Sequence, residues 1–291
     1  GVDFPIVSSV ATQVTDLVDG EIDILPNLPP SYVDTLRARQ VSVYVGTHPV
    51  EQYFIIPNLA NGHATANVAL RQAIAWAIDR EAIIKSVFDG TAVPGAALPG
   101  AGELFASPKY VSYFGTRANA SRARSYLAQA KGAPSAPLDF VVQDTPKVKA
   151  AATIVQENLA TIGIKTSLRA LSTTAYFPLL ERGEYDLLML DTTAGFSPAS
   201  AYLALYPTSP LNFNHYANPQ IKTLLDQAVA AGTGPAASRA WEKVQKLFVA
   251  DLPQIIVAVA RYLEADNKRL QGYKPSPLGY FLDVANATTL S

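Results

Sequence analysis

Residues 67–90 read NVALRQAIAWAIDREAIIKSVFDG, and the rest of the chain is organised around what this stretch must become. Leu70, Ile74, Ala77 and Ile78 recur at the three- and four-residue spacing of one helical face, and Asn67 stands where a side-chain oxygen accepts from the first free backbone N–H groups. Asp79 opens a second helix in the same way, with Ile83, Ile84 and Val87 on its apolar side, and Gly90 stops it because glycine takes the left-handed conformation at little steric cost. Two short helices joined at an acidic cap therefore carry apolar stripes that need a broad apolar partner. A sheet supplies one.

Patterns on both sides of the hairpin alternate between strand and helix. Upstream, residues 7–25 read as a short strand, a helix through Ala11, Val14, Leu17 and Val18, a turn at Asp19-Gly20 and a strand over 21–25. A proline-rich link (Pro26, Pro29, Pro30) leads to a helix over 32–39 and to apolar strands over 41–45 and 52–56. Downstream, residues 91–108 are rich in Gly, Pro and Ala and read as an ordered loop, long enough to suit a functional role. Then come a helix over 117–131, a strand over 138–143, a helix over 147–162 ending at Gly163, and a strand over 165–171. That is a β-α-β unit, whose default is a crossover to a parallel neighbour. A helix over 176–182, an apolar strand over 185–190 of the kind buried in a sheet, helices over 221–230 and 236–250, a strand over 254–262 and turns at Gly272 and Gly279 complete the reading. The class is α/β.

Composition narrows the function. Across 291 residues, 49% are apolar, enough to build a substantial core. Lys plus Arg number 23 against 24 acidic residues, with no run of like charge, which gives no electrostatic footprint for nucleic acid or an anionic membrane. The longest apolar run, residues 255–260, falls far short of the roughly 20 residues that span a bilayer. There is no cysteine, so thiolate nucleophiles, disulfides and zinc–cysteine sites are excluded. His48, His63 and His215 are scattered without metal-ligand spacing, and Asp16, Asp19, Glu21 and Asp23 lack the spacing of a calcium loop. No metal and no cofactor are expected. No nucleophile elbow, phosphate loop or dinucleotide fingerprint is present either. Residues 1–9 show neither the basic nor the apolar region of an export signal, so an exported form is expected to begin ahead of them.

The wording of residues 71–84, RQAIAWAIDREAII, resembles the hallmark of the family 5 extracellular solute-binding proteins, the peptide, nickel and oligosaccharide receptors of ABC importers. Further segments follow the family's order: LVDGEIDILPNLPP at 17–30, the strand over 53–58, LATIGIKT at 159–166, GEYDLLML at 183–190, NFNHYANPQIKTLLDQA at 212–228 and VADLPQIIVAVARY at 249–262. The resemblance implies a lobe like that of type II periplasmic binding proteins. Residues 56–256 would form a complete second lobe, with 1–55 and 257–291 forming an incomplete first lobe whose remainder lies ahead of the GEID strand. It further implies an extracytoplasmic receptor whose lobes close on a ligand about strands 53–58 and 256–262. ABC permease subunits would be its partners, and a lipid anchor on the preceding segment its only membrane contact. An incomplete first lobe would expose apolar surface, and dimerisation is the expected consequence.

In peptide-binding relatives an Asp in the loop after the Y-D strand pairs with the peptide amino group, and an Arg after the earlier strand takes its carboxylate. Here Gly195 and Asp144 stand at those places, Thr192 lies near a family Trp, and Ser197-Pro198 replaces Asp-Pro. A carboxylate facing a ligand carboxylate is costly when buried, so a free dipeptide is disfavoured against a neutral oligosaccharide or a modified oligopeptide. The candidate ligand-binding residues are Asp144, Thr192, Thr193, Phe196, Ser197, Tyr202, Asn212, Phe213, Asn214 and Tyr216, whose hydroxyls, amides and rings suit such ligands. The plainer alternative is that these are ordinary loop formers. Arg71 and Asp79 take structural roles, Arg71 by reaching a carboxylate between elements. Two other functions stay open at this level: an α/β hydrolytic enzyme using paired carboxylates, and a binding protein that feeds a sensor.

Overall fold

A computed structural model describes residues 1–276 and 287–289. Helix α1 (Val10–Asp19), strand β1 (Ile24–Pro26) and helix α2 (Val33–Ala38) lead into the long strand β2 (Ser42–Pro57). The hairpin follows as α3 (Val68–Ala77) and α4 (Arg80–Phe88), then β3 (Ala92–Val93), α5 (Pro108–Val111) and α6 (Ala120–Gln129). Next come β4 (Leu138–Gln143), α7 (Pro146–Thr161), β5 (Thr166–Leu171), α8 (Thr173–Arg182), β6 (Leu187–Thr193) and α9 (Ala199–Leu205). Helices α10 (Pro219–Ala230) and α11 (Pro235–Asp251) return the chain to β7 (Ile255–Asp266), and β8 (Leu270–Gln271) pairs with β9 (Thr288–Thr289). The expected turn at Gly272 is present, with φ 74°; the one at Gly279 lies outside the described residues.

One mixed sheet carries the fold, in the order β1-β7-β2-β6-β4-β5, with β3 added on β7. β4 runs parallel to both β5 and β6, so the β-α-β reading holds, while β2 runs antiparallel to β6 and β7. Phe140, Val141 and Val142 are successive residues with no exposed surface. In a pleated strand that places apolar groups on both faces, and both are covered, as parallel strands require.

The sheet serves two cores. The larger gathers β2, β4, β6 and β7 with the hairpin and α7, α10 and α11. The smaller consists of Val14, Leu17, Leu25, Leu28, Val33, Leu36, Leu263 and Ala265. The stretches expected as separate strands over 41–45 and 52–56 are one 16-residue strand. What the proline and glycine between them produce is a set of register shifts against β7 at Val45, Pro49 and Glu51, not a turn. The Arg261 guanidinium spans this irregularity, donating to the carbonyls of Gly46 and Thr47 at 3.1 and 3.2 Å. Tyr53, Phe54 and Ile55 at one end, and Val257 to Ala260 at the other, pack in the larger core. The change of core therefore falls near residues 46–50 of β2 and near Arg261 of β7.

The hairpin is capped as its residues dictate: the Asn67 side chain accepts from the Ala69 amide and that of Asp79 from the Ala82 amide. Asp89, in the left-handed region at φ 46°, closes α4 one residue before Gly90. Among the described residues Arg71 forms no ion pair at salt-bridge distance, though the Asp251 carboxylate acts on it electrostatically. It donates to the carbonyls of Thr65, Ala66 and Asp251, the last at the C-terminal end of α11, where the helix dipole favours a cation. Arg80 is 1% exposed and donates to the carbonyls of Ala75, Gly95 and Ile256 at 3.1–3.3 Å; burial lowers its guanidinium to about 10. Three elements thus depend on one side chain for carbonyls that water cannot reach. The short strand expected ahead of α1 does not form, whereas α5 and α9, too short to show a period, do. Replacing Asp79→Ala is expected to lower unfolding free energy by about 1 kcal/mol, with Asp79→Asn near wild type, as read from urea midpoints; equal losses in both would remove capping as the explanation.

Candidate functional site

β4 and β5 end together at Gln143 and Leu171, and β6 runs in the same direction to Thr193. Ligands in open α/β sheets collect at such carboxyl ends. At this edge β2 enters the larger core, with Glu51 opposite Thr193, Gln52 opposite Thr192 and Tyr53 opposite Asp191. Alternation puts Glu51 and Tyr53 on one face and Gln52 on the other.

On the first face, Glu51 accepts from the Tyr53 hydroxyl at 3.4 Å and pairs with the Lys147 ammonium at 3.5 Å. Lys147 projects from the first turn of α7. Burial pushes the Glu51 carboxyl up and Asp191 pushes it further, while Lys147 pulls it down. Burial likewise raises Asp191, again opposed by Lys147.

On the opposite face, Glu103 is a buried junction. Its carboxylate accepts from the Gln52 amide at 2.9 Å, from the Gly100 N–H at 2.5 Å and from the Ser200 hydroxyl, so it joins β2, the loop over 94–107 and α9. Burial raises it to about 7, and the three hydrogen bonds keep it from rising further. The two loops meet directly as well: Leu104 N–H donates to Phe196 O and Ala194 N–H to Val50 O, each at 2.6 Å. His48 lies edge-on to Phe196 with ring centroids 5.5 Å apart. Gly100 allows the close approach; a Cβ there would lie 2.8 Å from the Gln52 amide nitrogen.

Six of the ten sequence candidates lie at this end. Thr192, Thr193, Phe196 and Ser197 are exposed. Tyr202 stacks on Tyr206 with centroids 4.6 Å apart and borders an apolar groove of about 400 Å³ with Pro198, Ala199, Leu203, Val229 and Trp241. Asp144 is exposed and paired with Lys149 at 2.5 Å, so its charge is already opposed and does not by itself exclude a ligand carboxylate.

The other four are elsewhere. Asn214 is buried and donates to the carbonyls of Pro57 and Pro253. Pro57 is six residues along β2 from Glu51 and faces Leu187, the first residue of β6, about 20 Å away at strand rise. Asn212 exchanges both its amide groups with the Tyr216 backbone at 2.9 Å, and the Tyr216 hydroxyl donates to Asp251 at 2.6 Å. Phe213 packs half-buried against the larger core. These contacts close the loop before α10 onto the start of β7, and Asn212, Phe213, Asn214 and Tyr216 leave the candidate site for that reason.

Glu51, Gln52, Glu103, Lys147, Asp191 and Ser200 take their place. A signal for the first two was available in the acidic-amide pair Glu51-Gln52 at the head of an apolar strand. Nothing local distinguishes Glu103, Lys147 or Ser200. Among the described residues no group of three or more His, Cys, Asp or Glu could hold a metal ion.

Residues 1–213 match the family described as bacterial extracellular solute-binding proteins, family 5 Middle, and the chain belongs to that family. It is 24% identical over 300 residues to the "Probable D,D-dipeptide-binding periplasmic protein DdpA" of Escherichia coli, covering 98% of this chain and 55% of the relative. It is 26% identical over 281 residues to the glutathione-binding protein GsiB of Pectobacterium atrosepticum, covering 91% and 53%. Among solved structures, the ABC transporter substrate binding protein CtaP of Listeria monocytogenes superposes with a TM-score of 0.84 at 18% identity, covering 98% of this chain and 59% of that one. The fold is thus that of the family's type II binding proteins, and the chain spans about half the length of the curated relatives it matches.

Two expectations follow. Asn214→Ala should lower stability by about 1–3 kcal/mol, because two buried carbonyls lose their donor, without weakening ligand binding; a loss of affinity at unchanged stability would return Asn214 to the site. Glu103 has a folded-state value of about 7 against an ordinary 4.5, so it contributes stability below pH 4.5 that is lost as pH rises through 7. The loss is on the order of 2 kcal/mol after allowing for relaxation. Denaturation at pH 5 and pH 8 should show this decline in wild type and a flatter profile in Glu103→Gln.

Proposed function

We propose that this chain forms part of an extracytoplasmic solute receptor that delivers its ligand to an ABC importer by closure of two lobes. The observation that supports this most strongly is the pairing of family membership with a polar strand edge lying where the two cores meet. The larger core is the second ligand-binding lobe and the smaller core belongs to the first. Among the described residues β2 and β7 are the strands that pass between the cores, and their register shifts at residues 45–51 provide the place where a hinge bends. Closure then follows from a ligand's preference for the closed form, with no covalent step. Permease subunits are the partners, and the site of action is outside the cytoplasm, as for the periplasmic relatives.

The ligand is an amino-acid-built compound of peptide size. The case for a neutral oligosaccharide rested on the hydroxyls, amides and rings of Thr192, Thr193, Phe196, Ser197, Tyr202, Asn212, Phe213, Asn214 and Tyr216, and the polar groups of Asn212, Asn214 and Tyr216 are engaged within the protein. The paired charges Glu51–Lys147 and Asp144–Lys149 favour a dipolar ligand instead. The two curated relatives named above carry a dipeptide and glutathione in their names. A hydrolase using paired carboxylates would turn over its substrate, and the family's members are substrate-binding proteins.

The test is a thermal-shift screen of the full-length gene product against di- to pentapeptides and neutral oligosaccharides, since ligands of the native state raise Tm. Peptides are expected to raise it and to reduce the radius of gyration in small-angle scattering. A shift with sugars alone would reverse the ligand assignment, and binding without contraction would count against lobe closure.

A further inference from the structure

The shifted stretch of β2 is clamped from two sides. On one side lies the loop over 94–107, so close that a Cβ on Gly102, whose φ is 89°, would collide with the Pro49 carbonyl. On the other lies the segment that follows β6, where Ala194 N–H donates to Val50 O at 2.6 Å and Phe196 packs on His48. The Leu104 N–H and the Phe196 carbonyl join the two clamping segments to each other. Glu103 stands where all three meet, 6% exposed, and takes one donor from each: Gln52 of β2, Gly100 of its own loop and Ser200 of α9.

All three of these partners are neutral. The charged and titratable groups on the elements packed here are turned elsewhere. Glu51, its partner Lys147 and Asp191 belong to the other face of β2 and β6. His48 lies against Phe196, and Tyr202 of α9 is stacked on Tyr206. Arg80 holds the Gly95 carbonyl at the start of the loop, while α11 meets the loop's end through the neutral Gln245 and pairs its Glu242 with Lys109 at 3.8 Å. Three neutral donors offset only part of what a carboxylate loses on leaving water, and burial holds the Glu103 carboxyl at about 7. The clamped arrangement therefore keeps a proton that an opened, hydrated Glu103 gives up at its ordinary 4.5. Opening becomes easier as pH climbs from 4.5 and levels off above 7.

We propose that Glu103 is a positioning residue that acts as a proton-operated latch: protonated, it holds the loop over 94–107 and the segment 194–200 on the shifted stretch of β2, and on ionisation it frees them. The freed segment carries Phe196 and Ser197 at the strand edge, so the presentation of a ligand-facing loop and the freedom of the hinge change together. That consequence rests on the receptor reading; the latch itself does not.

The experiment is hydrogen–deuterium exchange of the ligand-free full-length gene product from about pH 4 to pH 8, with labelling times scaled to the intrinsic exchange rate at each pH. The amides of Leu104 and Ala194 report the two clamps, and those of Val141 and Val142 in β4 report global unfolding. Leu104 and Ala194 are expected to exchange ahead of Val141 and Val142, with an opening constant that rises about thirtyfold up to pH 7 and is flat beyond it. Glu103→Gln should abolish the rise. Ser200→Ala, which removes a donor that serves the ionised form, should carry the rise past pH 7, so the test survives a Glu103 variant that fails to fold. Exchange of Leu104 and Ala194 in step with Val141 and Val142, opening independent of pH, or a rise that persists in Glu103→Gln would overturn the latch. None of these outcomes bears on the receptor reading, which the ligand screen tests separately.

Discussion

The pairing of β2 with β7 is the constraint on which the rest of the architecture depends. These two strands run antiparallel from Ser42 opposite Asp266 to Ile55 opposite Ile255, and each contributes side chains to both cores. Because a strand exposes opposite faces at successive residues, any slip between them would send apolar groups of one core into solvent. At the irregularity between Val45 and Pro49, Arg261 adds polar contacts to the carbonyls of Gly46 and Thr47. The same stretch delivers Glu51, Gln52 and Tyr53 to the edge where β6 ends. Scaffold and candidate site are consequently one continuous piece of backbone, and a movement between the cores would move the site.

Buried charge is handled in three different ways in this molecule. Arg71 and Arg80 are surrounded by backbone carbonyls, so their charges fix geometry and substitute for water that cannot enter. Glu103 is neutralised partly by its own shift toward about 7 and joins three elements through its two oxygens. Glu51 and Asp191 retain an imbalance, with one lysine between them. Burial raises both carboxyls, and the Lys147 ammonium opposes that rise in each.

Local pattern reached far into the fold. The caps at Asn67 and Asp79, the β-α-β unit over 138–171 and the long helices near 219–230 and 235–251 all follow from periodicity and capping chemistry that act over a few residues. Patterns of that range failed where long-range contacts decided the outcome. The two strands 41–45 and 52–56 became one because β7 continues past the break and holds both halves in a single ladder. α9 formed because Ala201 and Leu205 found a buried surface, which seven residues of sequence do not reveal.

The site was the part least legible in the chain itself. Asn212, Asn214 and Tyr216 have ligand-like side chains, yet Asn214 and Tyr216 spend their donors on Pro57, Pro253 and Asp251, distant in the chain, and Asn212 is closed on the Tyr216 backbone. Glu51 and Lys147 pair on one face of the sheet edge and Gln52, Glu103 and Ser200 on the other, each from stretches far apart in the chain, and no local rule predicts such convergence. What the amino-acid order alone settled is the α/β class, the capped hairpin and the family, because each rests on interactions between near neighbours or on spaced words of sequence. The tertiary structure alone decided which polar groups are consumed in holding the chain together and which are left at the strand edge, because burial and hydrogen-bond partnership are properties of contacts between distant residues.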